Sequence, residues 1–435
     1  LRGTRPSLEE IQQVIDNPDE IYSLAETYVE SAEFTETVKD LYAETLKLRA
    51  IESQIPVVGA LDDYTQQEVH TSLTEEPLWL IEHVVENDLP FTEIVTADYA
   101  VMDEIAAEIW NDHTYDFSTG GKQQVYWLDN RPVAGLVTSN GMLFRHISNG
   151  ANYHRSRVNM LTDAFLCESF SGRDIPLTGE IDLSDDEAVA EAVFNQTECI
   201  ACHQGLDPLA AHFWGFRPRI TNASIVNSYS NGCPTNSLNT TCYPITQYLS
   251  GLGDYWQDLG LRGPNYYGYH SENMDDLGLQ MADDPRFAQC VAKRVSAYLT
   301  QKEIDELSFE NVAELQDLFE SSGYDIKTLA AAVVTDPNFL LKSADDESVP
   351  LAELQIIRPE QLGRMMPDLT GFSWEVGLEN MTNNQGVSFG LIPMMTNDVI
   401  GMRAMFGGID GSKVTSPTHT PTPVKLLALA GYAQQ

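Results

Sequence analysis

The sequence predicts a mainly α-helical protein made of helical modules joined by long loops. Three observations support this prediction: apolar residues recur every three or four positions in many segments, helix start signals precede several of them, and β-rich stretches such as 124–128 are few. The chain has 435 residues, more than a single core usually holds. We expect a helical module over residues 1–115, a second module over 116–345 and a loop-rich module over 346–435.

The first module has the clearest helix signals. Ser7 and Glu10 form the pattern of a capping box, in which each side chain binds the backbone amide of the other residue. Pro18 follows Asn17 and marks the start of the next helix. Apolar stripes with helical spacing occupy residues 11–15, 21–28, 36–48 and 76–112.

The second module begins irregularly and then becomes helical. Gly, Asn and Arg are frequent between residues 115 and 182, which favours short helices joined by long loops. Helical periodicity returns over residues 185–194, 284–299, 311–319 and 328–334. After residue 350 the composition shifts towards Met, Gly, Thr and Pro, as expected of the loop-rich third module.

Charge and hydropathy exclude several classes of function. The 65 acidic residues against 25 Lys and Arg residues give a formal net charge of −40, which repels nucleic acid and anionic lipid. No run of about 18 apolar residues occurs, so we expect no transmembrane segment. The first residue is Leu1 rather than Met, as expected of an exported protein after removal of its signal.

Residues 199–203 read Cys-Ile-Ala-Cys-His, the C-x-x-C-H pattern of c-type haem attachment. The thiols of Cys199 and Cys202 lie about one helical turn apart, so each can add to one haem vinyl group, and His203 is then the proximal iron ligand. We therefore expect one covalent haem c, with the helical modules around it.

Two other roles of these cysteines are less favoured. A zinc site could use Cys199, Cys202, Cys233 and Cys242, but the second pair lacks the short spacing of a zinc knuckle. A thioredoxin-like redox pair would need a strand and a βαβ unit ahead of the motif, and the pattern predicts none there.

Four cysteines remain, an even number that an exported protein normally pairs. Cys233 and Cys242 bracket a loop rich in Asn and Thr, and we expect a disulfide there. By elimination Cys167 would pair with Cys290, although three connectivities are formally open.

Several stretches of the sequence form a recognisable set around the Cys-x-x-Cys-His motif. In chain order these are EP at 76–77, LPFTEIVTADY at 89–99, AGLVT at 134–138, RSRVNM at 155–160, FLC at 165–167, CIACH at 199–203 with LDPL at 206–209, and DPNF at 336–339. Together they resemble the planctomycete-type cytochrome c family, exported mono-haem proteins built from adjacent domains of unknown function. Weaker motifs at 358–362 and 407–411 look like the family's terminal module. The resemblance implies a haem c protein in the periplasm, at the cell surface or outside the cell, and it assigns no reaction.

The second axial ligand of the iron would decide between functions. Met or His gives a closed electron-transfer site, whereas an open position allows peroxide or oxygen chemistry. The segment that the resemblance places near the haem supplies four candidates: Met142, His146, His154 and Met160. Met366, which precedes Pro367, is a further methionine in a Met-Pro context.

Other residues around the motif are candidates for supporting roles. Aromatic surface for a haem pocket, or equally for core packing, is offered by His212, Phe213, Trp214 and Phe216. Arg155 and Arg157 would pair either with haem propionates or with local carboxylates. Residues 207–209, Asp-Pro-Leu, are expected to shape a turn.

The leading hypothesis is an exported mono-haem c-type cytochrome that exchanges electrons with a redox partner protein or a small-molecule donor or acceptor. The first alternative is a haem-dependent oxidase or peroxidase with an open axial position. The second is a structural protein of the cell surface, stabilised by haem and disulfides, which would form a homo-oligomer or an envelope assembly. The motifs of serine hydrolases, P-loop proteins and zinc proteases do not occur.

Overall fold

The computed structural model describes residues 1–49, 55–149, 152–173, 185–233, 242–340, 355–378, 382, 388–397 and 402–434. The chain is mainly helical, with 55% helix and 6% strand, which confirms the predicted class. Among the helices in these ranges, none combines the length and the apolar character needed to cross a membrane.

Short and medium helices follow one another along the whole chain. Up to residue 211 they are α1 (Leu8–Asp16), α2 (Glu20–Val29), α3 (Ala32–Thr45), α4 (Gln66–Glu86), α5 (Glu93–Thr96), α6 (Glu104–Ile109), α7 (Asn140–Arg145), α8 (Arg155–Leu166), α9 (Asp186–Asn195) and α10 (Thr197–Ala211). After it they are α11 (Asn222–Ser230), α12 (Tyr255–Asp258), α13 (Met274–Ala282), α14 (Pro285–Thr300), α15 (Phe309–Ser321), α16 (Ile326–Thr335), α17 (Pro337–Leu340), α18 (Pro359–Thr370), α19 (Met402–Met405) and α20 (Pro423–Tyr432).

The strands are short and form antiparallel pairs. They are β1 (Ala100–Met102) with β2 (Gln123–Val125), β3 (Asn265–Tyr266) with β4 (Tyr269–His270), and β5 (Glu375–Gly377) with β6 (Leu391–Pro393). The register pairs Val101 with Gln124 and Val376 with Ile392. The strands therefore join loops locally and form no extended sheet among the described residues.

Local start signals place several helices where the sequence predicts them. The capping box at α1 is present, with the Glu10 amide donating to Ser7 Oγ at 3.1 Å and the Ser7 amide donating to Glu10 Oε2 at 2.6 Å. The side chain of Asp185 caps α9 by accepting from two backbone amides of the first turn.

The helical prediction for residues 76–112 is only partly right. Helix α4 starts earlier, behind a capping box of Thr65 and Glu68, and it continues through Pro77. It stops before Asp88, whose φ of 52° is incompatible with a continued helix, and Pro90 follows. Residues 100–102 then extend and pair with β2, because a strand partner later in the chain satisfies their backbone groups.

The described residues form two compact units. The discontinuous unit contains Leu1–Ile94 and Ala288–Gln435, and the continuous unit contains Val95–Phe287. These boundaries differ from the three consecutive modules expected from the sequence. The reason is that chain segments distant in sequence pair within the discontinuous unit: the Arg358 guanidinium donates to both carboxylate oxygens of Glu44, at 2.8 and 2.6 Å.

Buried ion pairs are a second feature of the discontinuous unit. Asp40 accepts from Arg49 Nη1 at 2.8 Å and from Arg364 Nη2 at 2.6 Å. Arg403 Nε donates to Glu360 Oε1 at 2.6 Å, and both residues are buried. An apolar cluster lies nearby in the same unit and consists of Leu362, Met395, Phe406, Ala428 and Tyr432.

Candidate functional site

Helix α10 of the continuous unit carries the Cys-x-x-Cys-His motif in its first two turns. Cys199 and His203 are four residues apart and Cys202 is three residues after Cys199, so the helix brings these side chains to neighbouring positions on one side. Both cysteines are free thiols and are partly exposed. The structure thus gathers the residues predicted for haem attachment on adjacent helical turns.

The imidazole of His203 is held by a carboxylate on the next turn of the same helix. Nδ1 of His203 lies 2.8 Å from Oδ1 of Asp207, and the His203 side chain is 23% exposed. An ionised carboxylate only accepts hydrogen bonds, so Nδ1 donates. In the neutral ring, Nε2 then carries a lone pair that is available to a metal ion.

Asp207 is buried and is the centre of an ion-pair cluster. Arg155 donates to it twice, from Nε at 2.7 Å and from Nη2 at 3.2 Å, and Arg262 Nη1 donates at 3.1 Å. Burial alone would raise the pKa of Asp207, but the hydrogen bonds from His203 and Arg155 outweigh burial and lower it below its usual value. Asp207 is therefore an anionic hydrogen-bond acceptor at neutral pH.

The cluster also joins three helices. Arg155 begins α8, Asp207 lies in α10, and Arg262 Nη2 donates to the carbonyl oxygen of Val193 in α9 at 3.0 Å. The Arg262 guanidinium additionally lies 4.3 Å from the ring centroid of Phe194. The orientation of His203 is therefore fixed by contacts that reach well beyond its own helix.

The expected turn at residues 207–209 is wrong, because these residues are helical. Pro208 lies inside α10, where it removes one backbone hydrogen bond of the helix. Because a turn was expected there, Asp207 was not recognised as a partner of His203. It lies four residues after His203, the spacing at which two side chains meet on a helix. This spacing was the sequence signal that could have identified Asp207.

The other flank of α10 faces a different set of side chains. Cys202 Sγ lies 4.0 Å from the carbonyl oxygen of Phe170. Gly205 packs against the rings of Phe170 and Tyr267, and Arg173 donates to the carbonyl oxygen of Ala201 at 3.2 Å. A third guanidinium therefore contacts this helix, and unlike those of Arg155 and Arg262 it does not bind Asp207.

His154, one of the four predicted distal ligands, is poorly suited to binding iron in this arrangement. It is buried, and Arg157 Nη1 lies 3.0 Å from its Nδ1. Burial, and then the Arg157 charge, lowers the pKa of His154 well below its ordinary value, so the ring is neutral. Because a guanidinium has no acceptor, Nδ1 must accept, which places the ring proton on Nε2, the atom that would have to bind the metal.

The other three distal candidates lie on or beside α7 and α8. Met142 is buried in α7, His146 follows α7 and is half-buried, and Met160 is half-buried on α8. Helix α8 packs against α10, so Met160 belongs to an element next to the motif. The further candidate, Met366, packs against the apolar cluster of the discontinuous unit.

The structure separates the roles of the two arginines. Arg155 binds Asp207, as described above. Arg157 is fully buried and donates to backbone carbonyl oxygens, among them those of His146 at 2.8 Å and Leu143 at 2.9 Å. Its guanidinium is therefore committed to the protein interior, and the expectation that Arg157 pairs with a propionate or a surface carboxylate is wrong.

The aromatic residues after the motif are mainly core. Phe213 and Phe216 are buried, and His212 is buried with Nε2 2.7 Å from Ser271 Oγ. Trp214 is half-buried and packs edge-on against His154, with 5.3 Å between the ring centroids. Core packing, one of the two roles expected for this segment, therefore describes most of it.

The remaining cysteines are oxidised. Cys233 and Cys242 form a disulfide with a Cα–Cα distance of 5.7 Å, as predicted, although residues 234–241 lie outside the described residues. Cys167 and Cys290 are both disulfide-bonded as well. A zinc site built from Cys199, Cys202, Cys233 and Cys242 is therefore excluded, because disulfide sulfurs are not available as thiolate ligands.

Comparison with known proteins finds a family model that matches the first part of the chain. A family model described as PSD4, a protein of unknown function (DUF1592), matches residues 11–111, and this domain is associated with planctomycete cytochromes c. No curated protein and no solved structure matches the chain. The match precedes the Cys-x-x-Cys-His motif and fits the resemblance to planctomycete-type cytochromes c.

Proposed function

We propose that this protein is an exported c-type cytochrome that carries one haem on Cys199, Cys202 and His203 and transfers single electrons between redox partners. When bound, a c-type haem supplies a one-electron ferric/ferrous couple. The chain's own contribution is attachment, orientation of the axial imidazole and control of the charge around it.

The two free thiols support covalent attachment. Each thiol would add its sulfur to one carbon of a haem vinyl group and its hydrogen to the other, so two thioether bonds form without an oxidant or a reductant. Cys199 and Cys202 are both reduced, partly exposed and one helical turn apart, which fits this addition. No backbone rearrangement is needed to bring the thiols to one side of α10.

The contact between His203 and Asp207 is the observation that carries the proposal. A metal-binding histidine normally donates its other ring N–H to a carboxylate or carbonyl group, which fixes the tautomer and the ring orientation. The 2.8 Å contact of His203 Nδ1 with Asp207 meets this requirement. The motif is thus accompanied by the second-layer partner that an iron ligand needs.

The oxidised cysteines support an exported location. Disulfides persist outside the reducing cytoplasm, and haem is attached to C-x-x-C-H proteins in the same kind of compartment. The disulfide between Cys233 and Cys242 fits such a compartment. With a formal net charge of −40, a partner with a basic surface would be attracted most strongly.

A second candidate function, a haem oxidoreductase with an open axial position, is favoured by two observations. His154 presents a protonated Nε2 and is unsuited to closing the site. The anionic Asp207 increases the electron-donating strength of His203, a property that also suits haem enzymes. Electron transfer stays the leading proposal because Met142, His146 and Met160 are alternative sources of a sixth ligand.

Haem attachment is tested by producing the full chain in a bacterium that exports it and has c-type haem maturation. We expect haem absorbance to remain with the polypeptide after acid–acetone extraction. Replacing Cys199 and Cys202 together with Ala should abolish it.

The matched control replaces Cys233 and Cys242 together with Ala, which also removes two cysteines but should leave the haem in place. Purified wild-type protein that contains zinc and no haem absorbance would refute the proposed function. Loss of haem in both double variants would mean that the substitutions caused misfolding. In that case peptide mapping of the wild type decides whether Cys199 and Cys202 carry the haem.

A further inference from the structure

We propose that Asp207 is a positioning residue whose carboxylate, held between Arg155 and Arg262, sets the reduction potential of iron bound by His203. This inference rests on the proposed haem attachment and assigns the control of its redox equilibrium to three residues outside the C-x-x-C-H motif.

The geometry leaves the carboxylate little freedom. Oδ1 accepts from His203 Nδ1 at 2.8 Å and from Arg155 Nε at 2.7 Å, and Oδ2 accepts from Arg155 Nη2 at 3.2 Å and from Arg262 Nη1 at 3.1 Å. The Asp207 side chain is only 4% exposed. Each oxygen thus has two donors, and rotation of the carboxylate would break at least two hydrogen bonds.

The charge of the acceptor determines the electronic effect. A carboxylate that accepts from Nδ1 makes the imidazole more basic and its Nε2 a stronger donor to a bound metal ion. A stronger donor stabilises the ferric state over the ferrous state and lowers the reduction potential. The two guanidinium groups share the negative charge of Asp207, so they limit this effect.

The cluster therefore affects the reduction potential in two opposing ways. Asp207 lowers the potential through His203, and Arg155 and Arg262 raise it by weakening Asp207 as an acceptor. A simple through-space field would give the same signs, since it also responds to removal of a negative or a positive charge. The two explanations predict different results in a double-mutant cycle. An arginine that acts through Asp207 no longer affects the potential once Asp207 is replaced by Asn, whereas a through-space charge shifts the potential equally in both backgrounds.

The experiment is a double-mutant cycle on the full-length haem-bearing protein, with the potential measured by titration with dithionite and ferricyanide. Asp207→Asn should shift the ferric/ferrous equilibrium about tenfold towards the ferrous state, or about 59 mV for a one-electron couple. Arg262→Gln should shift it in the opposite direction. In the Asp207→Asn background the same arginine substitution should have no further effect.

Arg173→Gln is the matched control, because Arg173 contacts the same helix at Ala201 and does not touch Asp207. Its shift, whatever its size, should be equal in both backgrounds. If Arg262→Gln behaves like Arg173→Gln, with equal shifts in both backgrounds, the coupling through Asp207 is overturned. An unchanged potential in haem-bearing Asp207→Asn protein also overturns it.

Failure of the proposed function is distinguishable from failure of this inference. Wild-type protein without covalent haem refutes the proposed function, whereas haem-bearing protein with an unmoved potential refutes only the role of Asp207. If Asp207→Asn does not retain haem, two variants that keep a carboxylate at position 207 take its place. Asp207→Glu should have a wild-type potential, and Arg155→Gln, which removes a donor to Asp207, should lower the potential. A raised potential in Arg155→Gln would overturn the proposal.

Discussion

Arg403 and Glu360 form a buried ion pair, with 2.6 Å between Nε and Oε1, although they are 43 positions apart in the sequence. Their side chains are 2% and 7% exposed. Removing one partner would leave the other charge buried without compensation, which costs about 3–5 kcal/mol. We expect Arg403→Met to lower the free energy of unfolding by this amount, as measured by urea denaturation of the full chain.

The control for this prediction is an ion pair of the same unit that is accessible to solvent. Arg5 Nε lies 3.1 Å from Asp368 Oδ2, with side chains 37% and 54% exposed. Exposed pairs contribute about 0–1 kcal/mol, so Arg5→Met should have a small effect. Equal destabilisation by both substitutions would contradict the prediction that burial makes the Arg403 pair sensitive.

Buried His70 predicts a loss of stability in mild acid. Burial, only partly opposed by Glu75, lowers the pKa of His70 to about 4, below the value of about 6.5 in an unfolded chain. As the pH falls, the unfolded chain therefore takes up the proton first. The contribution of neutral His70 to the free energy of unfolding is full above pH 6.5 and is lost as the pH falls towards 4. At pH 5 the loss relative to pH 7 is about 2 kcal/mol.

Urea denaturation at pH 7 and pH 5 measures this contribution. His70→Gln should reduce the difference between the two pH values by about 2 kcal/mol. The control is His270→Gln, because His270 is 82% exposed and its substitution should leave the difference unchanged. A pH difference that is the same in His70→Gln as in the wild type would show that other groups cause the acid sensitivity.

The disulfide between Cys233 and Cys242 should stabilise the fold by reducing the conformational entropy of the unfolded chain. The two residues are nine positions apart, and closing a loop of this length contributes about 2–3 kcal/mol. We expect Cys233→Ala with Cys242→Ala to lower the free energy of unfolding by that amount. The single variant Cys242→Ala should lose nearly as much free energy of unfolding, since either substitution breaks the disulfide. A denaturation midpoint equal to that of the wild type in the double variant would contradict the prediction.

If the proposed haem is present, carbon monoxide binding reports whether its sixth iron position is closed. We expect a low-spin, six-coordinate spectrum and slow, incomplete binding of carbon monoxide to the ferrous protein at neutral pH, because a side chain must first dissociate. His154→Gln should leave both unchanged, since the contact with Arg157 directs the ring proton to Nε2.

Separate substitutions of Met142, His146 and Met160 by Ala identify the ligand. The one whose loss makes carbon monoxide binding fast supplies the sixth position, and the other two serve as controls for each other. Fast and complete binding in the wild type would place the oxidoreductase ahead of electron transfer. In that case the same three substitutions test catalytic activity instead of iron ligation.

The sequence by itself determined the helical class, many helix starts and the spacing of the Cys-x-x-Cys-His motif. These features depend on neighbouring residues: the capping box of Ser7 and Glu10 acts over three positions, and Cys199, Cys202 and His203 occupy one helical turn and the residue after it. The disulfide between Cys233 and Cys242 was equally predictable because it closes a short loop. Local geometry fixes all of these whatever the rest of the chain does.

Only the tertiary structure decided which guanidinium groups hold Asp207 beside His203. Arg155 and Arg262 stand 52 and 55 residues from Asp207, and the sequence carries no periodic signal for such contacts. The same is true of Arg157, whose burial made His154 a hydrogen-bond acceptor at Nδ1 instead of a free ligand. The choice of partner for a buried charge depends on which groups the fold brings within hydrogen-bonding distance, and in a chain with 65 acidic residues many pairings satisfy the sequence equally well.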